Sequence, residues 1–162
     1  MITIKKYAAI DIGSNAMRLL VTNIVAQDGH TTQFNKCSLV RVPIRLGQDA
    51  FTVGEISEEN IERMVDAMLA FKLLMKVHKV EQYRACATSA MREAYNGKDV
   101  TDIIKNKTDI KIDIIDGKKE AAIIAASDLK QFITSDKAYL YVDVGGGSTE
   151  FSLFYEGNII AS

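Results

Sequence analysis

Apolar and polar residues follow two strand-like patterns in the first quarter of the chain. Two apolar runs within 6–25 flank a polar break at 13–15, which predicts a β-hairpin closed by a tight turn. A second turn leads to a predicted third strand over 31–41, so the chain begins with three antiparallel strands. We expect Pro43 to interrupt the pairing and 45–54 to form a loop.

The middle of the chain changes to helical spacing. After Ser57, a predicted N-cap, apolar residues recur every three or four positions, which predicts an amphipathic helix ending near His78. Its methionines Met64, Met68 and Met75 are expected to form a core stripe. The other elements predicted here are strands over 82–87 and 111–115 and helices over 89–94, 98–106 and 117–132, with a stop at 96–97 and a cap at Asp116.

The last part of the chain returns to strands. They are predicted over 138–144 and 149–155, on either side of a glycine turn at 145–147, and a further strand begins after 158. Strands followed by alternating helices and strands predict an α/β fold with a mixed sheet.

Two hairpins resemble each other in sequence. Asp11 and Asp143 each end an apolar strand and precede a turn of glycine and small residues. A buried carboxylate costs free energy unless it is paired or binds a metal, and successive turn N–H groups form an anion-binding nest. Two such turns facing each other would hold a phosphate chain, with a divalent metal neutralising its oxygens. Alternatively, both are hairpins whose turns need small residues. The side-chain donors of these turns are Ser14, Asn15, Ser148 and Thr149.

Composition and simple motifs narrow the function. With 20 basic and 21 acidic residues the net charge is -1, which disfavours binding of duplex nucleic acid. The glycine turns match neither the P-loop nor the dinucleotide-binding pattern. Cys37 and Cys86 form neither a disulfide framework nor a zinc motif, and no apolar run is long enough to span a bilayer. We therefore expect a cytoplasmic protein with no membrane partner.

Five stretches together resemble the exopolyphosphatase / guanosine-pentaphosphate phosphohydrolase family, in the superfamily of actin and the sugar kinases. The two phosphate motifs are 11–15 and 143–150, and the other similar stretches are 45–47, 87–94 and 116–121. They occur in the family's order and span nearly the whole chain.

The resemblance implies a fold and a domain organisation. It implies a ribonuclease H-like (actin-like ATPase) α/β lobe, whose mixed sheet starts in antiparallel strands and has helices packed on it. The opening hairpin of a second, similar lobe follows. We expect the first lobe over 1–117, a connecting helix over 118–134, and an incomplete second lobe over 135–162. The parent protein is then expected to be longer, and this chain alone to turn over poorly.

The resemblance also implies a reaction and its residues. Family members release the terminal phosphate of inorganic polyphosphate or guanosine pentaphosphate, with magnesium or another divalent cation. Glu120 matches the catalytic base, although Asp116 and Lys119 replace a serine and a glutamate of the family pattern. Arg45 is a further candidate contact for polyphosphate. The implied phosphate-binding residues are Gly13, Ser14, Asn15, Thr88, Arg92, Gly145, Gly146, Gly147 and Ser148, and the implied metal ligands are Asp11, Asp143 and Glu150.

Two other functions remain open at this point. The same clamp without turnover would be a sensor of polyphosphate or a guanosine polyphosphate that regulates a partner. An ATP-binding lobe of the wider superfamily is the third hypothesis. The motifs do not distinguish polyphosphate from guanosine pentaphosphate as the substrate. They are also compatible with a homodimer.

Overall fold

The structure is a computed structural model that describes residues 2–125, 137–146, 149–156 and 158–161. In these ranges the chain forms a five-stranded sheet, a second sheet of three strands, and helices between them. The elements are β1 (Ile2–Ile12), β2 (Ala16–Gln27), β3 (Gln33–Pro43), α1 (Leu46–Thr52), α2 (Glu58–Val77), β4 (Gln82–Ala87), α3 (Ser89–Glu93), α4 (Gly97–Thr108), β5 (Asp113–Ile114), α5 (Gly117–Ala125), β6 (Ala138–Val144), β7 (Thr149–Tyr155) and β8 (Asn158–Ala161).

The five-stranded sheet has the order β3-β2-β1-β4-β5. β1 pairs antiparallel with β2 and parallel with β4, so the sheet is mixed, as the sequence predicts. One face packs against the helices: Ile10 and Ile12 are buried in the same core as Met64, Met68 and Phe71. The methionine stripe of α2 is therefore confirmed as core. The second sheet has the order β6-β7-β8, and its strands pair antiparallel.

The predicted end of the third strand at 41 is wrong by two residues, although the pairing does stop at Pro43. Pro43 is the last residue of β3 and pairs with Ala16. β3 is the edge strand of its sheet. A proline is tolerated there because no further strand has to pair with its missing N–H.

The predicted loop over 45–54 is also wrong, because 46–52 forms α1. Arg45 precedes it in the left-handed region, at φ 63°, so the chain turns sharply out of β3. The helix buries Leu46 and Ala50 in the core, a tertiary gain that a short polar segment does not reveal from sequence.

The predicted stop at 96–97 is in fact the start of α4. Asn96 occupies the N-cap position, and its side chain bonds both the N–H and the C=O of Ile56, at 2.9 and 2.8 Å. Gly97 lies so close to the Met91 carbonyl that a Cβ would overlap it. Glycine is present here for close packing of α3 against α4 rather than for ending a helix.

Other predicted boundaries hold within a few residues. Ser57 caps α2 by accepting a hydrogen bond from the Asn60 N–H at 3.4 Å. Asp116 caps α5, since its Oδ1 accepts from the Lys119 N–H at 2.7 Å. The part of the predicted 117–132 helix beyond Ala125 lies outside the described residues. In the described part of the chain, no helix has the length and apolar character needed to cross a membrane.

Candidate phosphate site

The turn between β1 and β2 is held by three backbone hydrogen bonds. Within the turn, the Gly13 N–H donates to Ala16 O at 3.1 Å. The α1 entry segment supplies two more donors, because the Arg45 N–H reaches Asn15 O at 3.0 Å and the Gly47 N–H reaches Ser14 O at 2.8 Å. The polypeptide around the first turn is thereby fixed before any ligand binds.

The stretch 45–47 therefore has a structural role at the site. A Cβ on Gly47 would lie 3.0 Å from Ser14 Cβ, so only glycine lets α1 approach the turn this closely. The Arg45 side chain lines a separate polar cavity of about 490 Å³, together with Asp49, Ser57 and Arg63. The predicted contact of Arg45 with polyphosphate stays a prediction.

A buried pair of hydroxyls joins the first turn to α3. The Ser14 and Ser89 oxygens are hydrogen-bonded at 2.9 Å, and the two residues are only 5% and 6% exposed. Directly before α3, the Thr88 N–H donates to Ile12 O at 3.1 Å. The β4–α3 junction and the β1–β2 turn are thus one connected unit.

Both glycine turns line one pocket of about 180 Å³. The sequence-predicted residues that it brings together are Asp11, Gly13, Ser14, Asn15, Thr88, Gly145 and Gly146. The approach is close, because a Cβ on Gly146 would overlap the side-chain amide of Asn15. The main expectation from the paired motifs, that the two turns meet, holds for these residues.

Four residues that the sequence did not single out also line the pocket: Ala16, Arg18, Ser89 and Val144. Arg18 is the register partner of Asp11, and its Nη1 lies 3.2 Å from Asp11 Oδ2. The predicted turn at 13–15 would place 17 opposite 11. Arg18 faces Asp11 because the loop has only two residues, 14 and 15, with the Gly13 N–H bonded to Ala16 O. For Ser89 the signal is its place in the stretch 87–94, directly after Thr88.

Arg92 and Glu120 do not line this pocket. They form an ion pair instead, with Arg92 Nη1 3.5 Å from Glu120 Oε2, and both side chains are largely buried. Arg92 Nη1 also donates to Ile115 O at 2.9 Å, and its Nε lies 3.7 Å from Glu93 Oε1. These contacts tie α3 to the start of α5.

The remaining predicted residues are described only in part. Asp143 on β6 and Glu150 on β7 are register partners, and the structure describes their backbone alone. Gly147 and Ser148 lie outside the described residues. Among the described side chains there is no group of three or more His, Cys, Asp and Glu residues that could hold a metal. The predicted set of Asp11, Asp143 and Glu150 is therefore still a prediction.

The sheet order, the helices on one face and the meeting of two glycine turns define an α/β protein of the actin-like ATPase fold. Residues 24–162 match the model of the Ppx/GppA phosphatase family, and the chain belongs to that family.

Relatives with known names agree with this assignment. A "Bifunctional 3-dehydroquinate synthase/phosphatase" of Fusobacterium nucleatum is 34% identical over 90% of this chain and 22% of its own length. A "Guanosine-5'-triphosphate,3'-diphosphate pyrophosphatase" of Photobacterium profundum is 33% identical over 89% of this chain and 28% of its own. The solved exopolyphosphatase of Cytophaga hutchinsonii superimposes with a TM-score of 0.84 at 29% identity, over 97% of this chain and 49% of that one. The chain spans less than a third of these two curated relatives and about half of the solved structure.

Proposed function

We propose that the protein to which these residues belong hydrolyses phosphoanhydride bonds and releases the terminal phosphate of inorganic polyphosphate or guanosine pentaphosphate. The observation that carries the proposal is the single pocket lined by both glycine turns. The relatives named as exopolyphosphatase and as guanosine-5'-triphosphate,3'-diphosphate pyrophosphatase support the reaction class.

The pocket suits a phosphate because polar groups line it and because its first turn is held by hydrogen bonds before a ligand binds. In this proposal free N–H groups of the two turns would bind phosphate oxygens, and Ser14, Asn15 and Thr88 are polar residues that line the pocket beside them. Phosphoryl transfer needs mainly positioning and charge stabilisation, so a rigid set of donors is the contribution expected from the protein. In this proposal Gly147 and Ser148 supply further hydrogen-bond donors to the phosphate.

Glu120 is proposed as the base that accepts a proton from the attacking water. Its carboxylate is held by the Arg92 guanidinium, at 3.5 Å between Oε2 and Nη1, and its side chain is 18% exposed. An ion pair with so little solvent keeps the carboxylate in one orientation. Arg92, proposed to bind phosphate, already donates to Ile115 O, so its remaining N–H groups are those left for substrate.

A divalent cation such as magnesium fits the donor chemistry of the pocket. Asp11 is the carboxylate on its described wall, and magnesium is typically held by one or two carboxylates together with substrate phosphates. Asp11, with Asp143 and Glu150, would hold the ion. When bound, the ion would neutralise charge on the phosphate oxygens.

The test compares two glutamates that share one arginine. The assay uses the whole protein that contains these residues, as wild type and as the Glu120→Gln and Glu93→Gln variants. Phosphate release is measured with magnesium from long-chain polyphosphate, guanosine pentaphosphate and ATP. Glu93 also contacts Arg92 but is 60% exposed, so it is the matched control. We expect Glu120→Gln to lower release at least about 100-fold and Glu93→Gln to leave it within about twofold. Equal losses in both variants would contradict the assignment of the base.

A non-catalytic sensor is the second candidate, and one observation favours it. Arg92 and Glu120 are engaged with each other beside the pocket rather than lining it. Tight binding of polyphosphate without phosphate release would support the sensor and contradict the hydrolase. Release from ATP alone would contradict both and favour a kinase-like lobe.

A further inference from the structure

The Ser14 and Ser89 hydroxyls meet because two parallel strands end side by side. β1 pairs with β4 as far as Ile12 and Ala87, so the residues after both strands leave the sheet at the same edge. Ser14 lies in the turn that follows β1, and Ser89 is the first residue of α3. The Gly47 N–H holds Ser14 O at 2.8 Å, and the two hydroxyl oxygens are 2.9 Å apart. The fold therefore fixes this pair on the pocket wall.

The pair carries one more hydrogen than its own bond uses. Each serine hydroxyl has one hydrogen to donate and can accept two hydrogen bonds. One hydrogen lies between the two oxygens, and among the described residues neither hydroxyl has another hydrogen-bond partner. Both residues are more than nine-tenths buried and line the pocket. A buried donor without an acceptor costs free energy, so the second hydrogen requires an acceptor inside the pocket.

We propose that Ser89 is a positioning residue of the phosphate site. Its hydroxyl donates to Ser14 Oγ and so directs the Ser14 hydrogen to a phosphate oxygen. Ser14 belongs to the turn whose next residue, Asn15, meets Gly146 of the second turn, whereas Ser89 belongs to neither turn. The Ser14 hydroxyl is therefore the one of the pair assigned to the ligand. The inference rests on the proposed function, because it takes a phosphate as the acceptor.

A phosphate oxygen differs from a water molecule as the acceptor of this hydrogen. Hydrogen bonds to a charged oxygen are roughly twice as strong as those between neutral groups. Donation by Ser89 polarises the Ser14 hydroxyl, which strengthens the bond that Ser14 donates in turn. If a bound water took the hydrogen instead and stayed in place, Ser89 would have no effect on the affinity for phosphate. The affinity of Ser89 variants therefore separates the two acceptors.

The test measures binding of inorganic tripolyphosphate with magnesium by isothermal titration calorimetry. It uses the whole protein that contains these residues, in the Glu120→Gln background, where we expect the ligand to bind without turnover. Ser89→Ala should raise the dissociation constant about tenfold, and Ser14→Ala by at least that factor, because each removes an oriented donor to a charged oxygen. The double variant should bind like Ser14→Ala, within about twofold, because Ser89 acts only through Ser14.

Three further variants separate positioning from packing. Ser89→Thr retains a hydroxyl and should bind within about threefold of the parent, whereas Ser89→Cys, a weak donor of similar shape, should bind like Ser89→Ala. Thr108→Ala is the matched control for loss of a buried hydroxyl. Thr108 is 2% exposed, its hydroxyl donates to Ile104 O at 2.8 Å, and it does not line the pocket. It should lose stability in urea, as Ser89→Ala does, but keep the affinity of the parent.

Each contrary result overturns a defined part of the inference. Tripolyphosphate binding by Ser89→Ala that equals the parent, in a variant that circular dichroism shows to be folded, would overturn the role of Ser89. A double variant that binds about tenfold more weakly than Ser14→Ala would show that Ser89 binds phosphate directly and does not act through Ser14. No binding by the Glu120→Gln parent would instead contradict the phosphate site itself, and with it the proposed hydrolase.

Discussion

The two sheets that meet at the pocket differ sharply in how they are supported. In the five-stranded sheet, Ile10 and Ile12 are each 1% exposed under α2. In the three-stranded sheet, one face of β7 is buried, with Phe154 2% exposed, whereas Leu140 and Val144 of β6 are 63% and 74% exposed among the described residues. The two turns of similar sequence thus follow strands of different exposure, because β1 is buried where it ends, at Ile12, and β6 is exposed where it ends, at Val144.

The difference extends to the turns themselves. Ser14 O and Asn15 O of the first turn accept hydrogen bonds from the α1 entry segment, and the Ser14 hydroxyl binds Ser89. The described part of the second turn, Gly145 and Gly146, is exposed and meets the first turn at Asn15. A repeated motif thus predicts that two turns share a ligand, but it does not predict equal rigidity.

The largest effect is expected from two phenylalanines, Phe71 on α2, which packs on the first sheet, and Phe151 on β7 of the second sheet. Phe71 is fully buried, so Phe71→Ala should lower the free energy of unfolding by about 3–5 kcal/mol. Phe151 is 55% exposed on β7, so Phe151→Ala should cost less than about 1 kcal/mol. Urea unfolding followed by circular dichroism measures both. Similar losses in the two variants would show that the Phe151 side chain is packed as tightly as that of Phe71.

The contrast also explains which elements could be predicted from sequence. β6 and β7 were predicted with the bounds that the structure shows, because apolar runs and a glycine turn determine a hairpin locally. α1 was missed because its start depends on tertiary bonds, from Arg45 to Asn15 O and from Gly47 to Ser14 O. Elements with local signals were predictable, and elements held by distant partners were not.

The candidate site follows the same rule. Both turns were predicted from the paired Asp and Gly motifs, and they do meet. The position of Ser89 inside the pocket needs the β1–β4 pairing, a parallel contact between segments more than 70 residues apart. The pairing of Arg92 with Glu120 likewise depends on how α3 and α5 pack, which no local pattern reports.

The second prediction removes the bond between the first turn and α3. Ser14→Ala or Ser89→Ala leaves one buried hydroxyl without its partner, which should cost about 1–3 kcal/mol in unfolding free energy. The double variant removes both groups, so its loss should be smaller than the sum of the single losses. A double-mutant cycle in urea measures this coupling. Strictly additive losses would mean that the two hydroxyls do not stabilise the turn together.

The third prediction concerns the close approach of α1 to the first turn. Gly47→Ala should destabilise the chain by about 1 kcal/mol or more, because the new methyl group would press on Ser14 Cβ and the Phe51 ring at 3.0 Å. Gly117→Ala at the start of α5 is the matched control, since a Cβ there meets nothing within 4 Å. Its thermal midpoint should stay the same or rise slightly. Equal destabilisation by both changes would remove the packing argument for Gly47.

The smallest effect is expected in the pH dependence of stability, through Asp49 of α1, the helix that follows the segment bonded to the first turn. Asp49 of α1 accepts at Oδ2 from the Ser57 N–H at 2.9 Å, the Ser57 hydroxyl at 2.6 Å and the Asn60 side chain at 2.8 Å. Partial burial by itself would raise the pKa of Asp49. The hydrogen bonds from Ser57 and Asn60, with the charge of Arg63, outweigh burial and bring the pKa below its ordinary value of 3.8.

Because folding favours the ionised form of Asp49, its contribution to stability is complete above pH 3.8 and is lost as the pH falls through the lower folded value. Asp49→Asn should abolish this part of the acid dependence, and Ser57→Ala should reduce it by removing one donor. Urea midpoints measured between about pH 2 and pH 5 test both variants. An unchanged acid profile in Asp49→Asn would show that ionisation of Asp49 does not stabilise the junction of α1 and α2. The support of the first turn would then contain no electrostatic contribution from this carboxylate.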